Sequence, residues 1–518
     1  MIEAASTARS LPSQVECQPA VLVQRLSCLA QESYDLANRR IANVHPHVRK
    51  SLGQYFTPPE IACFMAQLLT PLHDADHPVR ILDAGAGTGI LGLAAAQRLL
   101  TTGASSVEIV AVESDPETSA MLRDVLSRAR ELSYDRILPT VVQGNFLDHS
   151  AAPLLLPHLG LFHFVISNPP YFKMSPTQVV GGDAPNIYAR FMEVASQLLH
   201  PQGQLCFIIP RSFASGFYFA RFRRRLNEQL TIRHIHSFHS RSQAFSNQSV
   251  LQENVIVLYS RSALLPGHQV TISSSESARD LATPTVIRVP LWRVLHPNDA
   301  KAVIHIPLDG HDLHLMDLVK TWSFNLASLN LQVSTGPVVP FRSREYLLEH
   351  PCGDPIVPLL WMQHVKPHSV KWPIGDSFRK QEYIRSDAGP NLLVPNKRYI
   401  LLRRFSAKED TQRLTAAVAE PGYFPSASVG LENHLNFIHR PEGDITREEA
   451  AGLSVILNSR TVDSYLRIFN GNTQVGATDL RRLPLPSSSV ISQIGRAALL
   501  TSIDRYPRIL REVLDVED

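Results

Sequence analysis

The stretch Val79–Gly89, VRILDAGAGTG, decides the fold of this 518-residue chain. It begins with Val79–Leu82, a short run typical of a buried strand, and it ends in a turn that contains three glycines. The helical pattern Ile90–Leu100 follows directly. A strand, a glycine-rich turn and a helix in this order predict one unit of a doubly wound sheet, in which small residues let a ligand approach the backbone closely.

Asp83, at the start of the turn, distinguishes between two ligands. A glycine-rich turn suits either a dinucleotide or S-adenosylmethionine. A carboxylate in this place suits the methionine ammonium group of S-adenosylmethionine and would repel a pyrophosphate. We therefore expect S-adenosylmethionine as the cofactor, bound by Asp83, Gly85 and Gly87.

The next two predicted strands also end in polar residues. Val107–Val112 leads to Glu113, whose carboxylate suits the two hydroxyls of a ribose; the alternative is an acidic cap for the following helix. The strand after it ends close to Asn145 and Phe146. We expect Asn145 to accept a hydrogen bond from the adenine amino group of the cofactor while Phe146 packs against the ring. Asp148 is the competing acceptor.

A fourth strand, 161–166, runs into the sequence SNPPY. Each proline fixes its φ and lacks an N–H, so the chain leaves the sheet in a rigid turn. The side chain of Asn168 and the backbone of Pro169 then offer carbonyl oxygens, and Tyr171 offers a flat aromatic face. This arrangement suits a planar ring that bears an exocyclic amino group, and the alternative is a structural turn with a core tyrosine.

Helical and strand patterns alternate again at 186–199 and 205–209. The alternation predicts an α/β domain with a doubly wound, mostly parallel sheet. Ligands of such sheets bind at the carboxyl ends of the strands, where all of these motifs lie. Their convergence favours the functional interpretation of SNPPY over the structural one.

The stretch Gln54–Glu60, QYFTPPE, precedes the first strand. Thr57 is a suitable N-cap, Pro58 a suitable first helical residue, and Glu60 completes a capping box, so a helix is predicted at Ile61–Leu69. The functional alternative to a well-capped helix is that its N-terminus, with unpaired N–H groups, faces an anion such as a carboxylate.

A basic run follows the predicted strand at 205–209. Between Arg211 and Arg241 the only acidic residue is Glu228. The arginines are Arg211, Arg221, Arg223, Arg224, Arg225, Arg233 and Arg241, with interleaved phenylalanines and Tyr218. A solvated basic helix and a surface for DNA phosphates are equally good interpretations. His234, His236 and His239 lack accompanying carboxylates or cysteines, so we interpret them as strand-surface residues and expect no metal.

Composition restricts the class of protein. The five cysteines form no CxxC pair, which indicates reduced thiols rather than a zinc site or disulfides. No apolar stretch reaches 18 residues, and the N-terminus lacks the apolar region of a signal peptide. We expect a cytoplasmic protein without a membrane partner. The net charge of +3 is compatible with a nucleic-acid partner without requiring one.

The domain boundaries follow from these patterns. We expect a helical N-terminal extension at 1–50, a catalytic domain at 51–262, a connection at 263–309 and an α+β domain at 310–518. In the last domain short apolar stretches alternate with Pro and Gly. Its basic side chains are suited to reading base edges: Arg342, Arg344, Lys366, Lys371, Lys397, Arg398, Arg403 and Arg404.

These motifs together resemble the gamma-class N6-adenine DNA methyltransferases of bacterial type II restriction–modification systems, typified by the TaqI methylase. In that class the cofactor motif precedes the Asn-Pro-Pro-Tyr motif, and a C-terminal domain binds the DNA target. The resemblance covers about residues 50–260. It implies a DNA-recognition function for residues 310–518.

The resemblance also implies roles for single residues. Thr57 would contact the methionine end of the cofactor and Glu113 its ribose, and Asn145 stands where the family usually has Asp. Asn168, Pro169 and Tyr171 would be catalytic, and Phe245 would pack on the face of a flipped-out target adenine opposite Tyr171.

The implied partners are double-stranded DNA and a separate cognate restriction endonuclease, with the enzyme itself a monomer. Three other functions remain open: methylation of a glutamine side-chain amide in a protein, methylation of RNA adenine, and a non-catalytic DNA-binding modification subunit. A nicotinamide-dependent oxidoreductase is disfavoured because the turn opens with Asp83.

Overall fold

The structure, a computed structural model, describes residues 19–42, 56–71, 78–148, 160–172, 186–239, 253–262, 266–351, 355–375, 378–406, 410–471 and 474–516. The chain divides into two units, Met1–Leu308 and Asp309–Asp518. Phe245 and the pair Gln54-Tyr55 lie outside the described residues.

Helices and strands alternate through most of the first unit. The helices are α1 (Pro19–Ala42), α2 (Pro59–Leu68), α3 (Ile90–Thr101), α4 (Pro116–Leu132), α5 (Ile187–Gln197), α6 (Ala220–Gln229) and the short α7 (Leu291–Val294). The strands are β1 (Val79–Ala84), β2 (Val107–Glu113), β3 (Ile137–Gln143), β4 (Phe162–Ser167), β5 (Leu199–Pro210), β6 (Thr231–Phe238), β7 (Asn254–Ser260), β8 (Gln269–Ser275) and β9 (Thr285–Pro290).

All nine strands join one sheet in the order β3-β2-β1-β4-β5-β7-β6-β8-β9. The first five strands in this order, β3-β2-β1-β4-β5, are all parallel to one another. Strand β7 is antiparallel to both of its neighbours, β5 and β6. The predicted α/β class with a mostly parallel, doubly wound sheet is confirmed. From β1 the chain proceeds outward to β2 and β3 and then returns to β4 on the other side, so the topological switch point lies between β1 and β4.

Helix α1 belongs to the core of the first unit. Leu22, Leu26 and Leu29 on one face of this helix are buried together with residues of α2, α3 and the sheet. This burial explains the helical spacing of apolar residues in this part of the sequence. This helix, part of the stretch that we expected to be a helical N-terminal extension, therefore packs directly on the first unit's core.

Residues 269–290, within the expected connection, form the short strands β8 and β9 and extend the sheet. The predicted capping box at Thr57 is wrong, because the N-cap of α2 is Pro58 and no side chain caps the helix. The hydroxyl of Thr57 has another partner, Asn168.

The second unit contains shorter elements. Its helices are α8 (Gly310–Lys320), α9 (Arg447–Leu457), α10 (Arg460–Phe469), α11 (Ala477–Leu480), α12 (Ser488–Leu499) and α13 (Tyr506–Leu514). Its strands are β10 (Gln332–Thr335), β11 (Leu347–Leu348), β12 (Val357–Leu360), β13 (Val365–Lys366), β14 (Ser369–Val370), β15 (Tyr383–Ile384), β16 (Leu393–Pro395), β17 (Tyr399–Arg403), β18 (Ala416–Ala419), β19 (Ser428–Leu431) and β20 (Leu435–His439).

The strands of the second unit form separate small sheets. The orders are β10-β20-β17-β18, β11-β15-β12-β19-β16 and β13-β14. Helices α9 and α12 approach so closely that only glycine fits at two positions. A Cβ atom at Gly452 would lie 2.0 Å from the carbonyl oxygen of Ile491, and one at Gly495 would lie 1.7 Å from that of Glu448.

We expect Gly495→Ala to lower the free energy of unfolding by about 1–3 kcal/mol, because the added methyl group meets backbone that cannot rotate away. The matched control is Gly310→Ala at the start of α8, where a Cβ meets no atom within 4 Å. Alanine is the better helix former, so the control should be neutral or stabilising. Denaturant unfolding of the full chain measures both, and equal midpoints would contradict the close packing.

Candidate active site

A cavity of about 440 Å³ opens at the carboxyl edge of the sheet, at the switch point between β1 and β4. Its walls come from the glycine-rich turn, the ends of β2 and β3, the SNPPY turn and helix α5. The lining residues are Phe56, Thr57, Gly85, Ala86, Gly87, Ile90, Leu91, Val112, Glu113, Ser114, Asp115, Pro116, Thr118, Gly144, Asn145, Phe146, Asn168, Pro170, Phe172, Ile187 and Phe191. The structure thus brings together most of the residues that the sequence predicts for the site.

The glycine-rich turn is shaped for close approach. Gly85, Gly87 and Gly89 have φ values of +73°, +57° and +89°, a region that residues with a Cβ rarely adopt. The N–H groups of Gly85 and Ala86 donate to the carbonyl oxygen of Val112, each at 2.9 Å. A Cβ at Gly87 would lie 3.0 Å from the ring of Phe56, so this turn tolerates no larger side chain without a shift.

Asp83 lies beneath the turn rather than on the cavity wall. Its side chain is fully buried, and Oδ2 accepts a hydrogen bond of 2.8 Å from the N–H of Gly92 in the first turn of α3. The second oxygen, Oδ1, has no hydrogen-bond partner. Burial, reinforced by the nearby charge of Glu113, raises the pKa of Asp83 to about 7.

Glu113 is the last residue of β2 and lines the cavity. Its carboxylate accepts hydrogen bonds from the N–H groups of Gly87, at 2.9 Å, and Asp115, at 2.8 Å. Burial raises the pKa of Glu113, while these donors oppose the shift. Asp115 itself caps α4 by accepting from the N–H of Thr118. Glu113 therefore ties two loops of the site together and retains acceptor capacity for a ribose hydroxyl.

Asn145 and Phe146 occupy the cavity wall beyond β3. The side chain of Asn145 is exposed to the cavity, and its Oδ1 accepts from the N–H of Leu147 at 3.0 Å. Phe146 is buried against Phe191 of α5, with ring centroids 5.0 Å apart. Asp148 is exposed and is not among the residues that line the cavity. This position favours Asn145 as the contact for the cofactor adenine.

Asn168 has partners on both sides of its amide. Its Nδ2 donates to the hydroxyl of Thr57 at 3.1 Å, and its Oδ1 accepts from the hydroxyl of Tyr171 at 2.6 Å. The Tyr171 hydroxyl also lies 2.9 Å from the carbonyl oxygen of Ile208 on β5. A carbonyl oxygen has two acceptor sites, so Oδ1 of Asn168 is chemically able to take part in more than one hydrogen bond.

The neighbours of Asn168 complete the turn. Pro169 is buried, whereas Pro170 lines the cavity. Tyr171 is half-buried, and its edge meets the ring of Tyr188 at a centroid distance of 6.3 Å and 90°. Burial raises the pKa of Tyr171 well above its usual range, so this hydroxyl stays protonated and able to donate.

Several residues that support the site were not predicted from the sequence. Arg40 of α1 forms a 2.6 Å ion pair with Asp115, which lines the cavity, and this contact lowers the pKa of Asp115 to about 2. Ser33 of α1 donates to the carbonyl oxygen of Thr88 in the glycine-rich turn. The α1 sequence shows an amphipathic helix, but no local pattern indicates where it docks.

The basic run divides into internal and exposed residues. Arg211 forms a buried 2.5 Å ion pair with Glu253, and Arg223 is 1% exposed, with its guanidinium bonded to backbone carbonyls. Arg221, Arg224 and Arg225 are exposed on α6. Neither interpretation from the sequence describes the whole run, because two of its arginines hold the fold together.

His236 of β6 is internal, which corrects the prediction of a surface residue at that position, whereas His234 is half-buried and His239 is exposed. His236 is fully buried and shares the hydroxyl of Ser273 with His234, at 2.8 and 2.7 Å. Burial lowers the pKa of His234 to about 4 and that of His236 to about 3, so both are neutral near pH 7. The described residues contain no cluster suited to a metal ion, and none of their helices is long and apolar enough to cross a membrane.

Three of the expected base-reading residues have internal partners. Arg398 pairs with Glu420 at 2.8 Å, Arg403 donates to the carbonyl oxygen of Val365, and Arg404 donates to that of Asn433. Arg342, Arg344, Lys366 and Lys371 are exposed. The exposed side chains remain the better candidates for contact with bases.

Proteins of two kinds are among those with similar sequences. Residues 143–245 match the family of the Eco57I restriction-modification methylase. The chain is 35% identical to the type II methyltransferase M.BsuBI of Bacillus subtilis, over 86% of this chain and 90% of that protein. It is 34% identical to the type II methyltransferase M.PstI of Providencia stuartii, over 86% and 89%. A shorter similarity, 31% identity over 27% of this chain and 50% of the other, is to a tRNA1(Val) (adenine(37)-N6)-methyltransferase of Serratia proteamaculans.

The pKa of Asp83 predicts a pH dependence of stability. The folded protein keeps this carboxyl protonated up to about pH 7, whereas the unfolded chain ionises it near pH 3.9, roughly its ordinary pKa. Its contribution to stability is full below the lower value and is lost as the pH rises through the higher one. Between pH 5 and pH 7 the wild type should lose about 2 kcal/mol more unfolding free energy than Asp83→Asn.

Denaturant unfolding at several pH values measures this difference. Asp124→Asn, at an exposed position on α4, is the matched control and should keep the wild-type profile. Parallel profiles of the wild type and Asp83→Asn would show that Asp83 is ionised in the folded protein.

The positions of Asn145 and Asp148 predict different effects on cofactor binding. Asn145→Ala should raise the dissociation constant for S-adenosylmethionine about tenfold, the effect of one lost hydrogen bond. Asp148→Ala should change it less than about twofold. Isothermal titration calorimetry measures both, and Asn145→Asp, which restores an acceptor, should recover most of the affinity. The reverse ranking would assign the contact to Asp148.

Proposed function

The chain belongs to the type II methyltransferases of restriction–modification systems, and from this premise we propose that it methylates N6 of one adenine within a specific site of double-stranded DNA. It is a DNA methyltransferase, and S-adenosylmethionine is its expected cofactor. The observation that carries the proposal is the placement of Asn168 at the cavity, with its amide held between Thr57 and Tyr171.

The described residues fit S-adenosylmethionine. Gly85 and Gly87 on the cavity wall present backbone without side chains to a ligand, and Glu113 presents a carboxylate suited to ribose hydroxyls. The wall formed by Asn145 and Phe146 suits an adenine ring, because it pairs an acceptor with an apolar ring. Thr57 would lie near the methionine end. When bound, this cofactor supplies an electrophilic methyl group.

The residues of the SNPPY turn would act on the target base. Oδ1 of Asn168 and the backbone carbonyl of Pro169 would accept the two hydrogens of the N6 amino group. The lone pair of that nitrogen is delocalised into the ring, and two acceptors would draw the nitrogen toward tetrahedral geometry and orient the lone pair. Catalysis of this kind depends on positioning, and it requires no general base before transfer.

A base inside a duplex cannot reach this cavity, so the adenine would leave the stack. The accessible part of the Tyr171 ring would then pack on one of its faces. Phe245, outside the described residues, would pack on the other. Stacking of this kind contributes about 1–3 kcal/mol per base and would offset part of the lost stacking in the duplex.

Duplex DNA is favoured over RNA by the extent of similarity. The first unit ends at Leu308, so the 86% of the chain that is similar to M.BsuBI extends into the second unit. The similarity to the tRNA methyltransferase covers only 27% of the chain. We assign recognition of the DNA sequence to residues 310–518, and we infer that the enzyme acts as a monomer beside a separate restriction endonuclease.

The reaction can be tested in a host without DNA methylation. Expression of the chain should yield N6-methyladenine in digested genomic DNA, and sequencing with detection of modified bases should place it at one short motif. Asn168→Ala should abolish the modification, because one of the two acceptors for N6 is lost, while calorimetry should still show cofactor binding. Methylated cytosine in place of adenine, or full activity of Asn168→Ala, would overturn the assignment.

A further inference from the structure

Two aromatic side chains project into solvent just beyond the carboxyl end of β5. Phe217 is 54% exposed and Tyr218 is 78% exposed. Their ring centroids lie 5.6 Å apart with an interplanar angle of 80°. The two exposed rings form one apolar patch, and exposed apolar patches mark sites of interaction.

The exposed pair connects to the catalytic turn through buried rings. The next residue, Phe219, is buried and stacks on Tyr188 of α5 with centroids 5.5 Å apart. Tyr188 in turn contacts Tyr171 edge-on at 6.3 Å. The pair therefore lies on the same edge of the sheet as the cavity, one residue away from a row of rings that ends at Tyr171.

The backbone beneath the pair is rigidly held. The buried guanidinium of Arg223 donates to the carbonyl oxygens of Phe213, at 2.7 Å, and Gly216, at 2.9 Å. It also donates to those of Lys301, at 2.8 Å, and Ala302, at 2.9 Å. Five N–H donors fixed in one plane make arginine well suited to such a brace. A braced backbone positions exposed rings more accurately than a free loop does.

The surroundings of the pair are basic. The ammonium group of Lys301 lies 4.4 Å from the centroid of the Phe217 ring, a cation–π contact. Arg221 and Arg224 are exposed on the first turns of α6, directly after the pair. Aromatic rings among positive charges match the chemistry of opened nucleic acid, whose bases stack on rings and whose phosphates attract cations.

We propose that Phe217 and Tyr218 stack on bases of the target duplex beside the extruded adenine and so stabilise the opened state of the DNA. The inference rests on the proposed function. Lys301 and the exposed arginines of α6 would bind the adjoining phosphates. Phosphate binding would be the function of the exposed part of the basic run.

The test compares two duplexes that carry the recognition site once it has been mapped. In one the target adenine is paired, and in the other it faces a mismatched base, so that part of the unstacking cost is already met. The variant is Phe217→Ala/Tyr218→Ala. Tyr134→Ala is the matched control, because Tyr134 is 39% exposed and precedes β3 at the opposite edge of the sheet.

The double variant should bind the paired duplex about tenfold more weakly than the wild type, as expected for lost base–aromatic stacking. On the mismatched duplex the loss should shrink to less than about threefold. Fluorescence of 2-aminopurine at the target position should show less extrusion for the variant on the paired duplex. Tyr134→Ala should match the wild type throughout, and binding of S-adenosylmethionine should be unchanged in all proteins.

Unchanged binding of the paired duplex by the double variant would overturn the proposal. Equal losses on both duplexes would also overturn it, since they would indicate a general contact rather than stabilisation of the opened state. In a plot of the logarithm of DNA affinity against the logarithm of salt concentration, Lys301→Met should reduce the slope by about one, the loss of one phosphate contact. These outcomes are separate from the proposed function, because wild-type formation of N6-methyladenine tests that function directly.

Discussion

The site depends on the adjacency of β1 and β4, two parallel strands whose following segments leave the sheet in opposite directions. A crevice must form between those segments, and the chain fills it from both sides with the glycine-rich turn and the SNPPY turn. The hydroxyl of Ser167, the last residue of β4, donates to the carbonyl oxygen of Ala84 at 2.5 Å and fastens the two strand ends together. Asn168 directly follows Ser167, so this hydrogen bond helps to position its contacts with Thr57 and Tyr171.

Two buried carboxyl groups lie near the crevice, Glu113 on its wall and Asp83 beneath the glycine-rich turn. Asp83 and Glu113 both have raised pKa values because burial disfavours their charged forms, and Glu113 contributes to the shift of Asp83. The carboxylate of Glu113 accepts from the backbone N–H groups of Gly87 and Asp115 and, at 3.5 Å, from the hydroxyl of Ser114. A positively charged ligand beside Glu113 would favour the ionised form of its carboxyl group, whereas a pyrophosphate would disfavour it.

Much of this arrangement could be predicted from the sequence, and the exceptions have physical reasons. The strands, the glycine-rich turn and Glu113 follow local patterns of burial and turn chemistry, and the structure places most of them at one cavity. Asp83 proved to lie beneath the turn, because alternation along a strand does not reveal depth. Thr57 satisfied the local rules for a helix cap, yet its hydroxyl pairs with Asn168, a long-range contact that no local rule contains.

The arginines after β5 show why a run of charge cannot be assigned as a whole. Arg223 and Arg224 are neighbours in sequence, yet one is 1% exposed and braces four carbonyl groups, whereas the other faces solvent. On a helix, adjacent residues point about 100° apart, so charge alone does not say which of them is internal. The buried member fixes the backbone that carries Phe217 and Tyr218, and the exposed members supply the positive field around them. One stretch of sequence thus contributes both the rigidity and the surface chemistry that an opened duplex would require.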